Sequence, residues 1–558
     1  MKFSYRYHGS SHSSDNAAQQ ALSLAPDTLR PPTHFDAGLQ PSASWAFREA
    51  LSALHAVVVN DQTPRGRDPS AYQRWLADNE GSLLAQFMQR AGSLREQVSA
   101  LHAELGDLRR RKDALLQPFY KARSRYFNWL YEANREAWFV LDPVISVHPE
   151  RLLFEAFSQD ESSYCAVSVS HNVFAQRGAM ACGTTNIDYS PGLFEAFQKI
   201  RDYKQTRFTV DPGGFGVASG DNPEFREEKI DLPDSWVRGF LQVSSAATLP
   251  ATVLELQPMD LHNLCAALRQ RRERAGPRSL RVELQPSGAC SLLLEPWGLR
   301  IVTPRARLLG EPPAQPQSIR LWGRRRLLLL ERLIPVATRL RVHLLGSGLP
   351  SFWVVELPDI TVTLGLSGWT ANDWSAAGRF DLLAPRQHVP QTTLERVATA
   401  LQARWQASVA ELVQACALPA AEVSAALTLW VQAGRAVFDL PAQRYAWREL
   451  SREPLPLQTL RFASPEEERA LQLVQAGGVR VQGLQALDGG RQQLDGEVRE
   501  GKRQHHGQLL LDADERLLQA RCDCNFFQQN QLRRGPCAHL LALRQKAQVQ
   551  LNERRRDA

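Results

Sequence analysis

The chain has 558 residues, too many for one hydrophobic core, and its 43% hydrophobic and 22% charged content describes a soluble globular protein of three or four domains. Eight cysteines are too few for a disulfide scaffold, and a net charge of +7 spread over this length is mild. The opening MKFSYRYHGSSHSSDN has no apolar run of the secretory type, and the most apolar stretch, RLLLLERLIPVATRLRVHLLG, is interrupted by Arg326, Glu331, Arg332, Arg339 and Arg341, so neither a signal peptide nor a membrane span is expected.

A cytoplasmic, reduced protein is therefore expected, and there clustered cysteines point to metal before disulfide. In chain order, residues 1–40 are rich in Ser, Pro, Gln, Asp and His and read as a flexible N-terminus. Residues 41–138 read as helical. The stretch 45–59 is amphipathic, and a longer helix from about 82 carries Leu94, Val98, Leu101, Leu105, Leu108, Lys112 and Leu115 at alternating steps of four and three, a heptad seam. Pro118 breaks or kinks it. The seam is short, which favours a helical hairpin over a dimeric coiled coil.

From 139 to 390 the pattern becomes mixed α/β. AWFVLDPVISV, SYCAVSVS, RFTVDP, RVELQPSGACSLLLEPWGLRIVTP and SFWVVELPDITVTLGL read as strands bounded by Pro, Gly and Asp. SWVRGFLQVSSAA and DLHNLCAALRQRRERA read as helices between them. The word FEAF, helical in character, occurs at 154–157 and 194–197 and is read as coincidence, not a repeat.

Residues 391–450 predict a winged-helix-like module: three helices and a β-hairpin, with Leu394, Val397, Leu401 and Trp405 on one face of the first helix and a capping box of Ser408 and Glu411 opening the second. Pro419 starts the third helix and Gly434 ends it. That helix carries Glu422 as its single charge and no Lys or Arg, whereas a helix in the major groove needs donors for phosphates and base edges. A structural or protein-binding module is expected.

A Pro-containing linker (451–463) leads to a C-terminal module, 464–558, which opens on a helix with Ser464 as N-cap, Pro465 at its first position and Glu467 closing a capping box. Three strands are expected, LDGEVREG, HHGQLLLD and ERLLQARC, with DADE as a turn. Residues 501–558 hold eleven Lys/Arg against six Asp/Glu. Such a basic terminus suits an anionic partner such as nucleic acid, or equally a solvated surface that neutralises a metal site.

Cys522-x-Cys524 and Cys537-x-His539, with twelve residues between the pairs, make a complete tetrahedral set for one Zn²⁺. No coordination position is left for water, so the site reads as structural. The competing reading, four residues that never share an ion, fits poorly with a full ligand set beside a predicted hairpin and helix. Cysteines two apart on a flat strand stand too far apart to share an ion, so Asp523 must sit in a tight turn. Residues two apart on a helix do not face each other, so Cys537 must lie just before a helix with His539 in its first turn. His505 and His506 read as strand-end histidines rather than further ligands. Cys165, Cys182, Cys265, Cys290 and Cys416 read as small buried hydrophobes.

This arrangement, with an apolar strand before the first cysteine and PCAHLLA after the spacer, resembles the SWIM zinc finger, CxC…CxH. The resemblance implies a β-hairpin plus helix that binds DNA or proteins. The whole chain is more loosely similar, in CGTTNIDYS and its C-terminal finger, to bacterial SWIM-containing proteins associated with MoxR-type AAA+ ATPases and von Willebrand A-type proteins. The fold class expected is thus multidomain α+β.

No P-loop, H-E-x-x-H, G-x-S-x-G or metal-adhesion motif is present, and the Gly-rich DPGGFGVASGDN lacks dinucleotide spacing. Cys165 with His171 is a weak suggestion of a catalytic pair. The expected function is a zinc-binding, non-catalytic interaction or scaffold protein acting with a separate MoxR-type ATPase or von Willebrand A-type protein. The alternative is a nucleic-acid-processing enzyme, or its accessory subunit, whose finger positions DNA. Arg533 and Arg534, in the loop between the ligand pairs, are the candidate contact residues, surrounded by Asn525, Gln528, Gln529, Asn530 and Gln531. Phe526 and Phe527 have two readings, rings that stack on bases or the finger's small core, and the core reading is favoured slightly.

Overall fold

A computed structural model of the full chain describes residues 12–15, 19–24, 33–60, 143–175, 178, 180–186, 194, 197–210, 234–273, 278–368, 373–374, 379–383, 389–450, 465–487, 491–501, 503–512 and 517–557. All belong to the unit formed by Met1–Gln62 and Leu141–Ala558. The second unit, Thr63–Val140, contains the expected heptad seam and lies outside the described residues, as do the Gly-rich stretch, the linker and Ser464.

Strands β1 (His12–Asp15), β2 (Gln19–Leu24) and β3 (His34–Leu39) stand where composition suggested a flexible N-terminus. The correction has a signal in β3, where Phe35, Ala37 and Leu39 alternate inward with the period of a half-buried strand. Helix α1 (Ser44–Val58) buries Phe47, Leu51 and Leu54 on its apolar face, as expected.

Next come β4 (Val144–Val147), β5 (Arg151–Phe157), β6 (Ser163–Ser170), β7 (Phe174–Ala175), β8 (Met180–Ala181), β9 (Gly183–Asn186) and β10 (Gln205–Val210). The first FEAF lies in β5, so its helical reading is corrected: every residue of β5 is buried, and a strand covered on both faces shows no alternation. Phe194 and Phe197 of the second are helical. Helices α2 (Asp234–Ala247) and α3 (Pro258–Gln270) flank β11 (Thr252–Leu256). They are followed by β12 (Ser279–Leu284), β13 (Cys290–Leu294), β14 (Leu299–Val302), β15 (Arg307–Leu309) and β16 (Gln317–Trp322). The apolar stretch forms 3-10 turns over Arg324–Val336 and then β17 (Arg339–Leu344). The pair β18 (Ser351–Leu357) and β19 (Ile360–Leu366) turns on Pro358 and Asp359, the latter at φ 57°.

The central sheet has nine strands in the order β15-β11-β17-β18-β19-β6-β5-β4-β9, with every pairing antiparallel. A second sheet, β1-β2-β10-β3-β7 with β8 on β3, packs against it through Phe35, Phe47, Phe154, Phe174 and Phe208, whose ring centroids lie 5.0–6.3 Å apart. A third, β14-β13-β12-β16, is a four-stranded antiparallel sheet.

Residues 391–450 fold as α4 (Gln391–Arg404), β20 (Gln406–Ala407), α5 (Val409–Cys416), α6 (Ala420–Gln432), β21 (Ala436–Asp439) and β22 (Arg444–Trp447) around Val397, Leu401, Leu412, Val423 and Leu427. The expected capping box is present: Glu411 N donates to Ser408 Oγ at 3.3 Å, and Ser408 N donates to Glu411 Oε2 at 2.7 Å. The β21–β22 hairpin lies on the central sheet, with Val437 and Ala446 against Leu153. Arg448 donates to both carboxylate oxygens of Glu155 on β5, at 2.7 and 2.6 Å, with each side chain 1% exposed. Tyr164 Oη donates to the same carboxylate at 2.7 Å, and the guanidinium lies 4.7 Å from the Phe240 ring centre. Arg151 pairs with Asp439 beside it.

The C-terminal module comprises α7 (Pro465–Gln475), β23 (Val479–Ala486), β24 (Gln492–Glu500), β25 (Arg503–Leu511), β26 (Leu517–Cys522), α8 (Asn525–Asn530) and α9 (Ala538–Asp557). Its sheet is a four-stranded meander, one strand more than expected and more than a β-hairpin. The added strand, β23, escaped because Gly483 interrupts its alternation with a bulge between Val481 and Gly483. Helix α9 packs on the sheet and on α7. No single described helix is long and apolar enough to cross a membrane.

Two tests follow from this packing. Arg448→Met leaves the Glu155 carboxylate buried without its cation and should cost about 3–5 kcal/mol in denaturant unfolding, with much of the loss recovered when Glu155→Leu is added. Burial holds the imidazole of His148 down at about 3 and that of His343 at about 4, against an ordinary 6.5. The unfolded chain then binds more protons between those values, so stability is complete above 6.5 and falls as pH drops toward about 3. The denaturation midpoint should fall between pH 7 and pH 5, by less in His148→Gln.

Candidate metal centre

The two ligand pairs are placed by two kinds of chain end. Strand β26 delivers Cys522 as its last residue, and the chain turns at Asp523, whose backbone N lies 3.4 Å from His506 O. Cys524 then caps α8, its Sγ accepting from Phe527 N at 3.4 Å. Gln531, at φ 50°, and Gly535, at φ 90°, fold the loop back. Cys537 precedes α9, its carbonyl accepting the bond from Leu541 N at 3.1 Å, and His539 lies in the first turn. The tight turn at Asp523 and the helix start at Cys537 are those the spacing requires.

Cys522, Cys524, Cys537 and His539 are 6%, 4%, 2% and 6% exposed, and their ligand atoms all lie within 4.8 Å of one another. A zinc tetrahedron with ~2.3 Å Zn–S bonds has sulfur–sulfur edges of ~3.8 Å, within the bound that the cluster keeps. The three cysteines are free thiols, and neither buried ring nitrogen of His539 makes a hydrogen bond of ordinary geometry. Three sulfurs and an imidazole gathered in this way are a donor set suited to a cation. The four groups are consistent with a bound zinc ion, held by a set in which protein fills every position.

Electrostatics agree with that use. Hydrogen bonding from Cys522 and then Cys537 holds the Cys524 thiol well below its ordinary value, while the same sulfur cluster pushes Cys537 up. Burial disfavours the His539 imidazolium, yet the sulfurs of Cys522 and Cys524 hold its pKa up to about 10. Thiols and imidazole alike must give up protons to bind a divalent cation.

The interior of the module is built to bring α9 close. Gly496 and Gly507 face each other across β24 and β25, and a Cβ on either would lie 2.5 Å from a methyl of Leu543. Phe527 is buried and Phe526 half-buried, so the first serves as core as expected.

The loop between the ligand pairs is seated on the rest of the chain. A Cβ on Gly348 would lie 3.0 Å from Arg533 Cδ, and one on Gly535 would lie 2.7 Å from the Arg379 carbonyl oxygen. Arg544, on α9, donates to Leu382 O at 3.1 Å. Of the two candidate contact arginines, Arg533 is therefore half-buried against the Gly348 loop, and Arg534 is exposed. Sequence alone had no means of separating them.

Around the ligands lies a set of residues that sequence reading missed or undervalued. His505 is half-buried, its ring centre 4.3 Å from that of His539, and its Nδ1 lies 2.8 Å from Asp523 Oδ1. Glu500, at the end of β24, places Oε2 3.5 Å from His539 Nε2. His506 is the exposed strand-end histidine expected. Among the described residues Cys165 and His171 do not join a group of three or more potential metal ligands. Cys165, Cys265, Cys290 and Cys416 are buried and Cys182 half-buried. Burial pushes the Cys265 thiol up to about 12 and raises those of Cys165, Cys182 and Cys290.

Residues 508–547 match the family model of the SWIM zinc finger. No curated protein matches the chain. Solved structures similar to it include proliferating cellular nuclear antigen from Entamoeba histolytica, at 8% identity and TM-score 0.28 over 40% of this chain and 88% of that one. PCNA from Thermococcus kodakaraensis gives 15% identity and TM-score 0.28 over 43% and 95%. At such scores neither likeness carries an argument.

The purified chain should contain one zinc by elemental analysis, and Cys537→Ser should lose most of it. Because thiols and imidazole must give up protons to bind, zinc affinity should fall steadily as pH drops, which a chelator competition at several pH values reads directly.

Proposed function

We propose that the chain is a non-catalytic interaction scaffold whose C-terminal SWIM finger is held in shape by zinc and presents a contact face to a protein partner. The observation that carries this reading is the closed ligand set. With four protein donors around one ion, the metal has no position for a substrate or an activated water, so it serves shape. The exposed side of the finger offers Arg521, Asn525, Gln528, Gln529 and Arg534, a mixture of cation and amides suited to a polar partner surface. Arg533, packed on the Gly348 loop, contributes to seating the finger instead.

The resemblance to bacterial SWIM-containing proteins supports a MoxR-type ATPase or a von Willebrand A-type protein as that partner, in the cytoplasm. Residues 391–450 have the element order of a winged-helix-like module, and in this reading they are structural. Their hairpin is occupied by the central sheet, and α6 lies beside α2 with Glu422 as its only charge. The full chain should accordingly select no preferred motif from a random duplex library.

The second reading, a finger that positions DNA for a processing enzyme, is favoured by the exposed Arg534 among amides. Titrating the full chain with a purified MoxR-type ATPase, a von Willebrand A-type protein and a duplex at several salt concentrations separates the two. Arg534→Ala should weaken partner binding without altering zinc content. If DNA is the ligand, the same change should lower the salt slope by about one unit. Cys537→Ser that binds every ligand as the parent does would sink both readings of the finger.

A further inference from the structure

Glu500 stands outside the ligand set, yet its two carboxylate oxygens have different partners. Arg469, on α7, donates to Oε1 at 2.6 Å. Oε2 is left directed at His539, 3.5 Å from Nε2. The ring nitrogens of His539 are chemically distinct, and a neutral imidazole bound to a metal through one carries its proton on the other. A carboxylate facing one nitrogen therefore decides which is free for the metal. We propose that Glu500 is a positioning residue for the zinc site: it accepts the Nε2 proton of His539 in a hydrogen bond and so assigns Nδ1 to the ion.

This rests on the zinc reading above and goes beyond it by naming the outer residue that fixes the histidine's tautomer and ring orientation. The assignment suits the local chain. His539 lies in the first turn of α9, two residues after Cys537, and Nδ1 is the ring nitrogen closer to the backbone, so ligation through it suits a ligand so near its neighbour in sequence. Arg469 in turn anchors Glu500 from a different element. The His505 ring lies beside His539, but its Nδ1 is engaged with Asp523 Oδ1 at 2.8 Å, which leaves Glu500 as the carboxylate at the His539 ring.

The test uses the full chain throughout. Zinc affinity is measured by chelator competition at fixed pH for the parent, Glu500→Ala, Glu500→Gln and Glu497→Gln. Glu500→Ala should weaken binding by about 10–100-fold, the usual effect of losing such an outer partner. Glu500→Gln, which keeps an oxygen acceptor, should lose less. Glu497→Gln removes the same charge from the same strand, beside the exposed His506, and should bind as the parent does. Nitrogen-15 spectra of the histidine-labelled, cadmium-substituted chain should show the His539 metal coupling on Nδ1 and the proton on Nε2.

Metal coupling on Nε2, or Glu500→Ala with parental affinity, overturns the proposal while zinc stoichiometry stays at one. Equal losses in Glu500→Ala and Glu497→Gln also overturn it, since the effect is then one of general charge. Should Glu500→Ala fold poorly, Arg469→Ala provides the second route: it frees the carboxylate from its anchor and should weaken zinc binding in the same direction. Parental affinity in Arg469→Ala together with Nε2 ligation in the parent spectrum overturns the proposal. An absence of zinc from the parent chain is a different result, which defeats the zinc reading itself.

Discussion

Three buried sulfurs and one imidazole gathered within 4.8 Å of one another form a site whose chemistry a divalent cation satisfies. As thiolates the sulfurs repel, and as thiols they are poor hydrogen-bonding partners in a site that excludes water. A divalent cation resolves the conflict and leaves a residual charge of −1, which the N-terminal end of α9 is oriented to accommodate. The C-terminal module depends on this. Its meander is covered on the inner face by α9, and the far end of β26 is joined to the start of that helix only by a short helix and a glycine-bearing loop. The metal fixes both ends of that connection at one point, a task that a larger module would assign to additional core.

Fixing the loop also fixes what the loop touches. Residues between the ligand pairs carry Arg533 and Gly535 into contact with Gly348 and the Arg379 carbonyl, and α9 reaches Leu382 through Arg544. These contacts need close backbone approach, for which Gly348 and Gly535 are suited at φ 76° and 90°. The finger is thus seated on the chain by the same few residues that the metal orders. Binding energy for the ion and seating energy for the module are linked, because a loop already held at both ligand pairs loses little further freedom on docking.

The metal ligands were fully legible in the sequence, because tetrahedral coordination restricts spacing so severely that CxC and CxH force a turn and a helix start. Helix boundaries in 391–450 were legible for a similar reason: Ser408 with Glu411, and Pro419 with Gly434, are local signals with local causes. The central sheet was legible strand by strand but not in its order, since β6 is joined to β19 by pairings between residues some 200 apart that no local pattern encodes. FEAF in β5 misled because burial on both faces erases alternation. Arg533 and Arg534 read alike in sequence, and what separates them is the Gly348 loop, nearly two hundred residues away. Glu500 was invisible for the same reason: it meets His539 through the sheet, while its own surroundings in sequence look like an ordinary strand end.

The module at 391–450 shows why element order alone is a weak guide to use. Its three helices and hairpin would in another setting leave the hairpin free to lie along a duplex. Here Arg448 and Glu155, both shielded from water, hold the hairpin to β5, with Tyr164 satisfying the carboxylate further and Phe240 beneath the guanidinium. Separating such a pair means exposing hairpin and sheet together, since either charge left alone in that apolar setting is costly. A duplex would have to displace this contact using an α6 that offers phosphates no cation. The same interaction therefore anchors the module to the central sheet through its hairpin.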